Sequence, residues 1–401
     1  MVRFLTAGES HGQALVTILE GIPAGLTIDF DALTAELRRR QGGYGRGRRM
    51  AIETDRAEIL SGVRNGETIG GPIALLIRNK DWDNWRQTMH VGAEGPDTGG
   101  ARRGAVTRPR PGHADLAGAV KYDRADLRDV LERASARETA ARVAAGAIAR
   151  QLLSRFGIEI ASHVFALGPI ALDDPLAVSF DRARQLPADS PVRCVDDRLA
   201  AEMIAAIDRA RDAGDTVGGA FEVIARGVPP GLGSYAQWDR KLDGRLAQAF
   251  MSIPAIKAVG IGRGPAVAAL PGSRMHDEIV LGTPQRPGVP GLARPTNNAG
   301  GLEGGVTNGE DLRVAAYMKP ISTLMKPLRS VDLETMTEGP AAIERSDVCA
   351  VPAASVVGEA MIALVLADAF VEKFGGDAIA DVERAHAAWR ERLAARFSPT
   401  R

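Results

Sequence analysis

The chain has 401 residues, 45% hydrophobic and 25% charged, which is enough length and apolar content to bury a sizeable core. Its 50 Lys and Arg balance 50 Asp and Glu, and aromatics make up only 4%. A neutral, aromatic-poor chain lacks both the basic surface that holds duplex DNA or acidic lipid and a stacking platform for single strands, so no nucleic acid and no membrane is expected as partner.

The expected elements alternate. Strands are expected at 13–20, 51–60, 71–78, 219–226 and 312–319, and helices at 31–41, 135–155, 197–213, 239–251 and 353–374. Ser135 and Glu138 form an S-x-x-E capping box, which makes Ser135 the expected N-cap of the long helix closed by Gly157. Pro352 and Gly375 bracket the last long helix. Its apolar run at 360–371 is interrupted by Asp368 and is too short for a bilayer span. Several strands follow one another directly, which argues against a purely parallel sheet. The N-terminus has no apolar leader, and the two cysteines, Cys194 and Cys349, stand far apart; both features point to a cytoplasmic protein without a disulfide framework or structural zinc.

A repeat is visible. GQALVTILEGIPAGL starts at residue 12 and GGAFEVIARGVPPGL at residue 218, and each stretch runs into a helical pattern and then a Gly-Arg-Gly. This predicts two related halves, roughly 1–200 and 201–375, within a single domain spanning 1–401 and ending in a helical tail.

Six segments carry polar chemistry. RRRQGGYGRGRR at 38–49 joins arginines to glycines that let backbone approach a ligand. RPRPGH at 108–113 is a stiff loop holding two arginines and a histidine. ERASARETA at 132–140 places Arg133 and Arg137 at a helix start, a costly position unless an anion sits there. TNNAGGLEGGVTNG at 296–309 suits close approach to a flat polar ligand, while KPIST at 319–323 and RSDVCAVPA at 345–353 supply a lysine, hydroxyls, an arginine and Asp347. Near the N-terminus, GESHG at 8–12 holds Ser10 and His11; the position matching His11 in the second repeat is Val217, as one asymmetric site would require. No phosphate-loop, dinucleotide, zincin or hydrolase motif occurs, and no metal is expected. The pattern reads as general acid–base work on an anionic small molecule.

In this order, AGESHG, RPGHAD, RASARETA, AGGLEGG, KPIST and RSDVCAVPA closely resemble the chorismate synthase family from residue 1 to about 375. The resemblance implies an α+β fold, a β-α-β sandwich with helices between two mostly antiparallel sheets and an internal pseudo-twofold duplication, assembled as a homotetramer. It implies a lyase that converts 5-enolpyruvylshikimate 3-phosphate to chorismate by 1,4-anti elimination of phosphate, dependent on reduced FMN, with NADPH as indirect reductant and a separate flavin reductase as possible partner. His11 and His113 would be acids, and Asp347 would assist a proton relay. Ser10, Arg40, Arg46, Arg110, Arg137 and Arg345 would meet the substrate. Arg133, Ala134, Ser135, Pro254, Ala255, Gly305, Lys319, Pro320, Ile321, Ser322, Thr323 and Arg345 would meet FMN, and Arg40 and Arg46 match NADP positions. The Pro-rich stretch 282–295 is expected to be a loop near the site. A nucleic-acid module using the Arg-rich loop and a flavin-independent phosphate lyase are the alternatives.

Overall fold

Alternating burial along β1 (Arg3–Ala7), β2 (Ala14–Glu20) and β6 (Ile73–Arg78) turns Leu15, Leu19, Ile73, Leu75 and Ile77 inward and leaves Leu5 and Ile18 on an exposed outer face. With β3 (Ala57–Ile59) they form an antiparallel sheet of order β1-β2-β6-β3. The molecule is described from a computed structural model covering residues 1–47, 54–93, 103–283, 288–344 and 347–397. A second antiparallel sheet contains β7 (Glu159–Leu167), β8 (Ile170–Ala171), β9 (Gly219–Arg226), β10 (Ile256–Ile261) and β15 (Leu312–Met318), in the order β10-β15-β9-β7-β8. Its central strand β9 reads as a continuous buried run, because its outer face also has cover: Phe180 and Ala183 pack on Ala161 and Ile224.

Helices fill the space between the sheets. They are α1 (Phe30–Gln41), α3 (Thr139–Arg155), α5 (Leu242–Met251) and α6 (Val351–Phe374); α2 (Asp115–Tyr122) and α4 (Asp197–Asp212) lie nearer the surface, and α7 (Ile379–Phe397) closes the chain. α6 is long and apolar enough to cross a membrane by length and composition, but 89% of that stretch is buried inside the protein, where it serves as the core helix. Gly146 lets α3 cross α6: a Cβ there would stand 2.4 Å from the Ala360 Cβ.

The duplication goes well beyond the stretch visible in the sequence. Ala14 pairs with Arg78 and Leu19 with Ile73 in the first sheet; the same offsets give Ala220 with Tyr317 and Ala225 with Leu312 in the second. β1 on β2 is matched by β7 on β9, and β3 on β6 by β10 on β15. The hairpin β4 (Val63–Arg64) and β5 (Glu67–Thr68) matches the hairpin β13 (Leu302–Glu303) and β14 (Val306–Thr307). Thr68 Oγ1 donates to Pro23 O (2.6 Å) and accepts from Leu26 N (2.9 Å); Thr307 Oγ1 donates to Pro229 O (2.7 Å) and accepts from Leu232 N (2.8 Å). These hydroxyls fix the two G-[IV]-P-x-G-L turns that the sequence displayed.

Some elements differ from the sequence expectation. Ser135 caps a single 3-10 turn, Ala136–Glu138, by accepting from Arg137 N, and α3 starts only at Thr139. Glu138 pairs with Arg142 at 2.8 Å instead of closing a capping box. The expected strand 51–60 is reduced to β3, with 51–53 outside the described residues. In the Pro-rich stretch, residues 284–287 lie outside the described residues; β11 (Val280–Leu281), just before it, pairs with β12 (Leu292–Ala293) inside it. β16 (Arg329–Asp332) and β17 (Thr337–Pro340) form a hairpin that backs the stiff loop, with Ser330 Oγ donating to Pro109 O at 2.6 Å.

Candidate active site

His11 lies in the turn between β1 and β2. Its backbone N donates to Glu132 Oε2 at 2.8 Å, and its Nδ1 stands 2.8 Å from Glu132 Oε1. The Glu132 carboxylate is fully buried, and the Glu132 carbonyl also takes the Ser10 N–H at 2.9 Å. Below the imidazole lies Trp85, stacked at 3.8 Å and 20°, with the Arg103 guanidinium 3.7 Å from the same indole. Ser135 Oγ donates to Ser10 Oγ at 3.1 Å, joining two residues 125 apart in sequence. Arg133 is already engaged: it donates to Gly8 O, Thr6 O and Thr6 Oγ1, tying the His11 turn to the Ser135 turn.

Next to Ser135, two buried guanidiniums share one carboxylate. Arg137 reaches Asp55 Oδ1 at 2.6 Å and Asn79 Oδ1 at 2.9 Å; Arg40 reaches Asp55 Oδ2 at 3.3 Å and Thr139 Oγ1 at 3.0 Å. Burial pulls Arg40 down to about 10, with Asp55 acting against it and Arg137 adding to it. Asn79 also holds the carbonyls of Glu9 and Gly12, so the His11 turn and the arginine pair form one hydrogen-bonded unit.

The glycine loop closes beside them. Arg46 meets Asp347 at 2.7 Å, and Gly47 N donates to the same carboxylate at 2.6 Å. Gly45 holds a φ of 82°, and a Cβ on it would stand 2.8 Å from Ile207 and 3.3 Å from Cys349. Glycine is therefore needed here for docking onto the start of α6. Arg40, Arg46, Thr139, Pro254, Met318 and Val357 are among the residues lining a cavity of about 40 Å³.

His113 follows the stiff loop. Its Nδ1 stands 2.5 Å from Asp115 Oδ1, and Arg110 grips the other oxygen of Asp115 through Nε at 2.8 Å and its backbone N at 3.0 Å. Burial pushes the Asp115 carboxyl up, but the hydrogen bonds from His113 and Arg110 outweigh it and hold the group well below the usual carboxylate range. Arg110 also donates to Thr323 at 3.0 Å, and Lys319 Nζ to Gly112 O at 2.8 Å, so the KPIST segment at the end of β15 is fastened to the histidine loop. Burial and Lys257 lower the Lys319 ammonium. Ala255, at a φ of 68°, accepts from Lys319 N at 3.0 Å and brings the Pro254–Ala255 turn to the same strand end.

Two expected residues stand outside this assembly. Gly305 sits in the β13–β14 turn, where a Cβ would stand 2.7 Å from Lys241, and among the described residues no contact links it to the clusters above. Arg345 lies outside the described residues. The glycines of 296–309 are used for protein backbone approach: a Cβ on Gly300 would stand 2.4 Å from Gly262 N. The sequence reading missed Asp55, Asn79, Trp85, Glu132 and Asp115. Asp115 and Glu132 lay inside quoted motifs; nothing in the sequence marked the others. A larger cavity, about 450 Å³, opens on the second sheet beside Phe165, Glu222 and Tyr317 and contains none of the expected residues.

Relatives match the whole arrangement. A sequence model described as chorismate synthase covers residues 2–371. The chain is 58% identical over 393 residues to the chorismate synthase of Moorella thermoacetica, covering 98% of this chain and 99% of the relative. It is 56% identical over 395 residues to that of Desulforudis audaxviator, covering 98% and 99%. A crystal structure of chorismate synthase superimposes with a TM-score of 0.77 at 42% identity, covering 98% of each chain. Likeness of that extent, in sequence and in fold, establishes that the chain belongs to the chorismate synthase family.

Proposed function

We propose that the clusters around His11, Arg40 and His113 form the site at which phosphate is eliminated from 5-enolpyruvylshikimate 3-phosphate to give chorismate. The observation that carries this reading is the pair of buried guanidiniums, Arg40 and Arg137, brought together from different elements onto Asp55. Convergent buried guanidiniums suit a polyanion held out of water. Ser10, Arg46 and Arg110 complete the set that meets the substrate, with Arg345 added by the family resemblance. His113 delivers a proton to the departing phosphate, and His11 holds a second proton. Asp347, gripped by Arg46 and the Gly47 amide, is the carboxylate through which a proton leaves.

The residues present also fit a flavin mononucleotide. The half-buried Pro254–Ala255 turn, the hydroxyls of Ser322 and Thr323 and the Lys319 ammonium would offer polar contacts beside the apolar wall of Pro254 and Met318, with Ser135 added by resemblance. Arg133, whose guanidinium is tied to Thr6 and Gly8, remains assigned by resemblance, as do Ala134, Pro320, Ile321 and Gly305. When bound in reduced form, the flavin supplies transient electron density that helps phosphate leave. Pockets for ligands of this size measure roughly 300–1,000 Å³, so the glycine loop and the 107–113 loop open to admit the ligands and close over them. NADPH acts as indirect reductant, met by Arg40 and Arg46 or by a separate reductase. In the same reading the enzyme is a cytoplasmic homotetramer. Each chain is one catalytic unit of two related halves, expected from the sequence at roughly 1–200 and 201–375, with β7 paired into the second sheet.

The test is an anaerobic assay with chemically reduced FMN and 5-enolpyruvylshikimate 3-phosphate, for wild type and His113→Ala. Chorismate from the wild type and a loss of roughly 100-fold or more in the variant are expected. No chorismate from the wild type refutes the reaction; an unimpaired variant refutes the role of His113.

A further inference from the structure

Each of the two histidines is held on one side by a carboxylate with no exposed side-chain surface: Glu132 for His11 and Asp115 for His113. In both cases the contact is to Nδ1. A carboxylate only accepts, so the ring nitrogen facing it carries the proton. For His113, a second neighbour tests the assignment. Arg110 Nη2 stands 3.0 Å from Nδ1, against 2.5 Å for Asp115 Oδ1. A bare Nδ1 lone pair would face the Asp115 oxygen at that short distance, which is repulsive, so the proton lies between Nδ1 and the carboxylate.

We propose that Glu132 and Asp115 are positioning residues that hold the Nδ1 protons of His11 and His113, so that both rings exchange protons with the site through Nε2 alone. The inference rests on the acid roles assigned above. As the carbon–oxygen bond to phosphate breaks, its electron pair leaves with the phosphate oxygen. The Nε2 proton of His113 moves to that oxygen, and the ring is left neutral with its remaining proton on Nδ1, still donated to Asp115. The carboxylate needs no proton at any point.

The geometry explains why a carboxylate stands at each place. Glu132 accepts from the His11 backbone N on Oε2 and faces Nδ1 with both oxygens, the nearer being Oε1 at 2.8 Å and the other Oε2 at 3.0 Å. A glutamine has a single acceptor oxygen. If that oxygen keeps the backbone N–H in the place of Oε2, the amide NH2 takes the shorter contact to Nδ1, in the place of Oε1, and favours the opposite tautomer. If it keeps the ring, a backbone donor is left opposed to the NH2. Asp115 is under the same constraint: Oδ2 takes the Arg110 N and Nε, while Oδ1 takes His113 Nδ1 and Arg110 Nη2. Trp85 then limits the His11 ring to one plane, so its Nε2 direction is fixed as well as its tautomer.

The experiment uses full-length, ligand-free protein labelled with 15N-histidine. Signals are assigned with His11→Gln and His113→Gln and read at a pH where the rings are neutral. Wild-type His11 and His113 are expected as Nδ1–H tautomers. In Glu132→Gln, the His11 signal shifts to Nε2–H and the His113 signal does not; Asp115→Asn does the reverse. Turnover with reduced FMN and substrate falls about 10–100-fold in each variant, as for other hydrogen-bond partners that orient a histidine, while KM stays within about threefold. An Nε2–H tautomer for either histidine in the wild type overturns the proposal even if a variant fails to fold. So does a variant with a changed tautomer and unchanged kcat. An inactive wild type with both Nδ1–H tautomers supports the positioning and overturns the reaction assigned above.

Discussion

Replacing Arg40 by methionine separates the binding role of this residue from its structural role. Burial lowers the Arg40 guanidinium to about 10, despite the help of Asp55. Held as a cation at neutral pH, it therefore costs the folded state roughly 3 kcal/mol. The sign follows from linkage: below about pH 10 both folded and unfolded chains carry the charge and the cost is full, and as pH rises through 10 the folded chain sheds the proton first and the cost falls. Methionine removes that cost and fills much of the same volume. Against this stand the lost hydrogen bonds to Thr139 Oγ1 and Ala136 O, which contribute about 1–2 kcal/mol together. Asp55 keeps Arg137 at 2.6 Å, so no bare carboxylate is created. The ligand-free variant should thus be more stable by about 1–2 kcal/mol, a Tm increase of roughly 1–2 °C for a chain of this length. Binding should move the other way, since losing one buried charge-assisted contact weakens the complex by about 2–5 kcal/mol, or a Kd rise of roughly 30-fold to several thousand-fold. Differential scanning calorimetry and titration calorimetry with the phosphorylated substrate measure the two effects. A Tm drop of more than about 5 °C with an unchanged Kd would refute the reasoning and make Arg40 an internal ion-pair partner only.

Two further predictions concern the scaffold. Glu359, buried in α6, accepts from Arg39, Arg150, Arg193 and Ser162, so Glu359→Gln leaves three guanidiniums without their shared charge. The urea midpoint should fall by the equivalent of about 3–5 kcal/mol; a shift below 1 kcal/mol would show that the network is not coupled to folding. In α7, burial and then Arg390 lower the His386 imidazole, which packs among Phe156, Phe370, Phe374 and Trp389. A depressed histidine means that stability is lost as pH falls below about 6.5, because the released helix takes up the proton first. Trp389 emission should therefore report loosening of α7 between about pH 7 and 5, and His386→Phe should abolish it; a pH-independent emission in the wild type counts against the docking role of this histidine.

Much of the candidate site was legible before any coordinates, because the segments that come together there set polar side chains next to backbone breaks. GESHG, RPGH and RASARE carry Ser10, His11, Arg110, His113 and Arg137 within short, stiff, glycine-marked segments, and short-range geometry is written locally. The acceptors of those groups were not legible. Asp55, Asn79 and Trp85 belong to unremarkable stretches and gain their roles only because β3, β6 and the turn after β6 end beside the His11 turn. The same division holds for the glycines. The sequence announced the loops at 42–47 and 296–309, but which partner each glycine lets approach, α6 for Gly45 or Gly262 for Gly300, depends on chain segments far away in sequence.

By itself the sequence determined the repeated strand–turn–helix unit, the two Gly-Pro turns and the presence and order of the core helices. These follow from periodicity, φ restrictions and side-chain chemistry, which act over a few residues. Only the tertiary structure decided that β7 repeats β1, that Thr68 and Thr307 pin the turns alike, and that two arginines of different elements share Asp55. Those outcomes depend on strand register and helix crossing, and long-range packing sets both: a shift of one residue would exchange the buried and exposed faces of an entire strand.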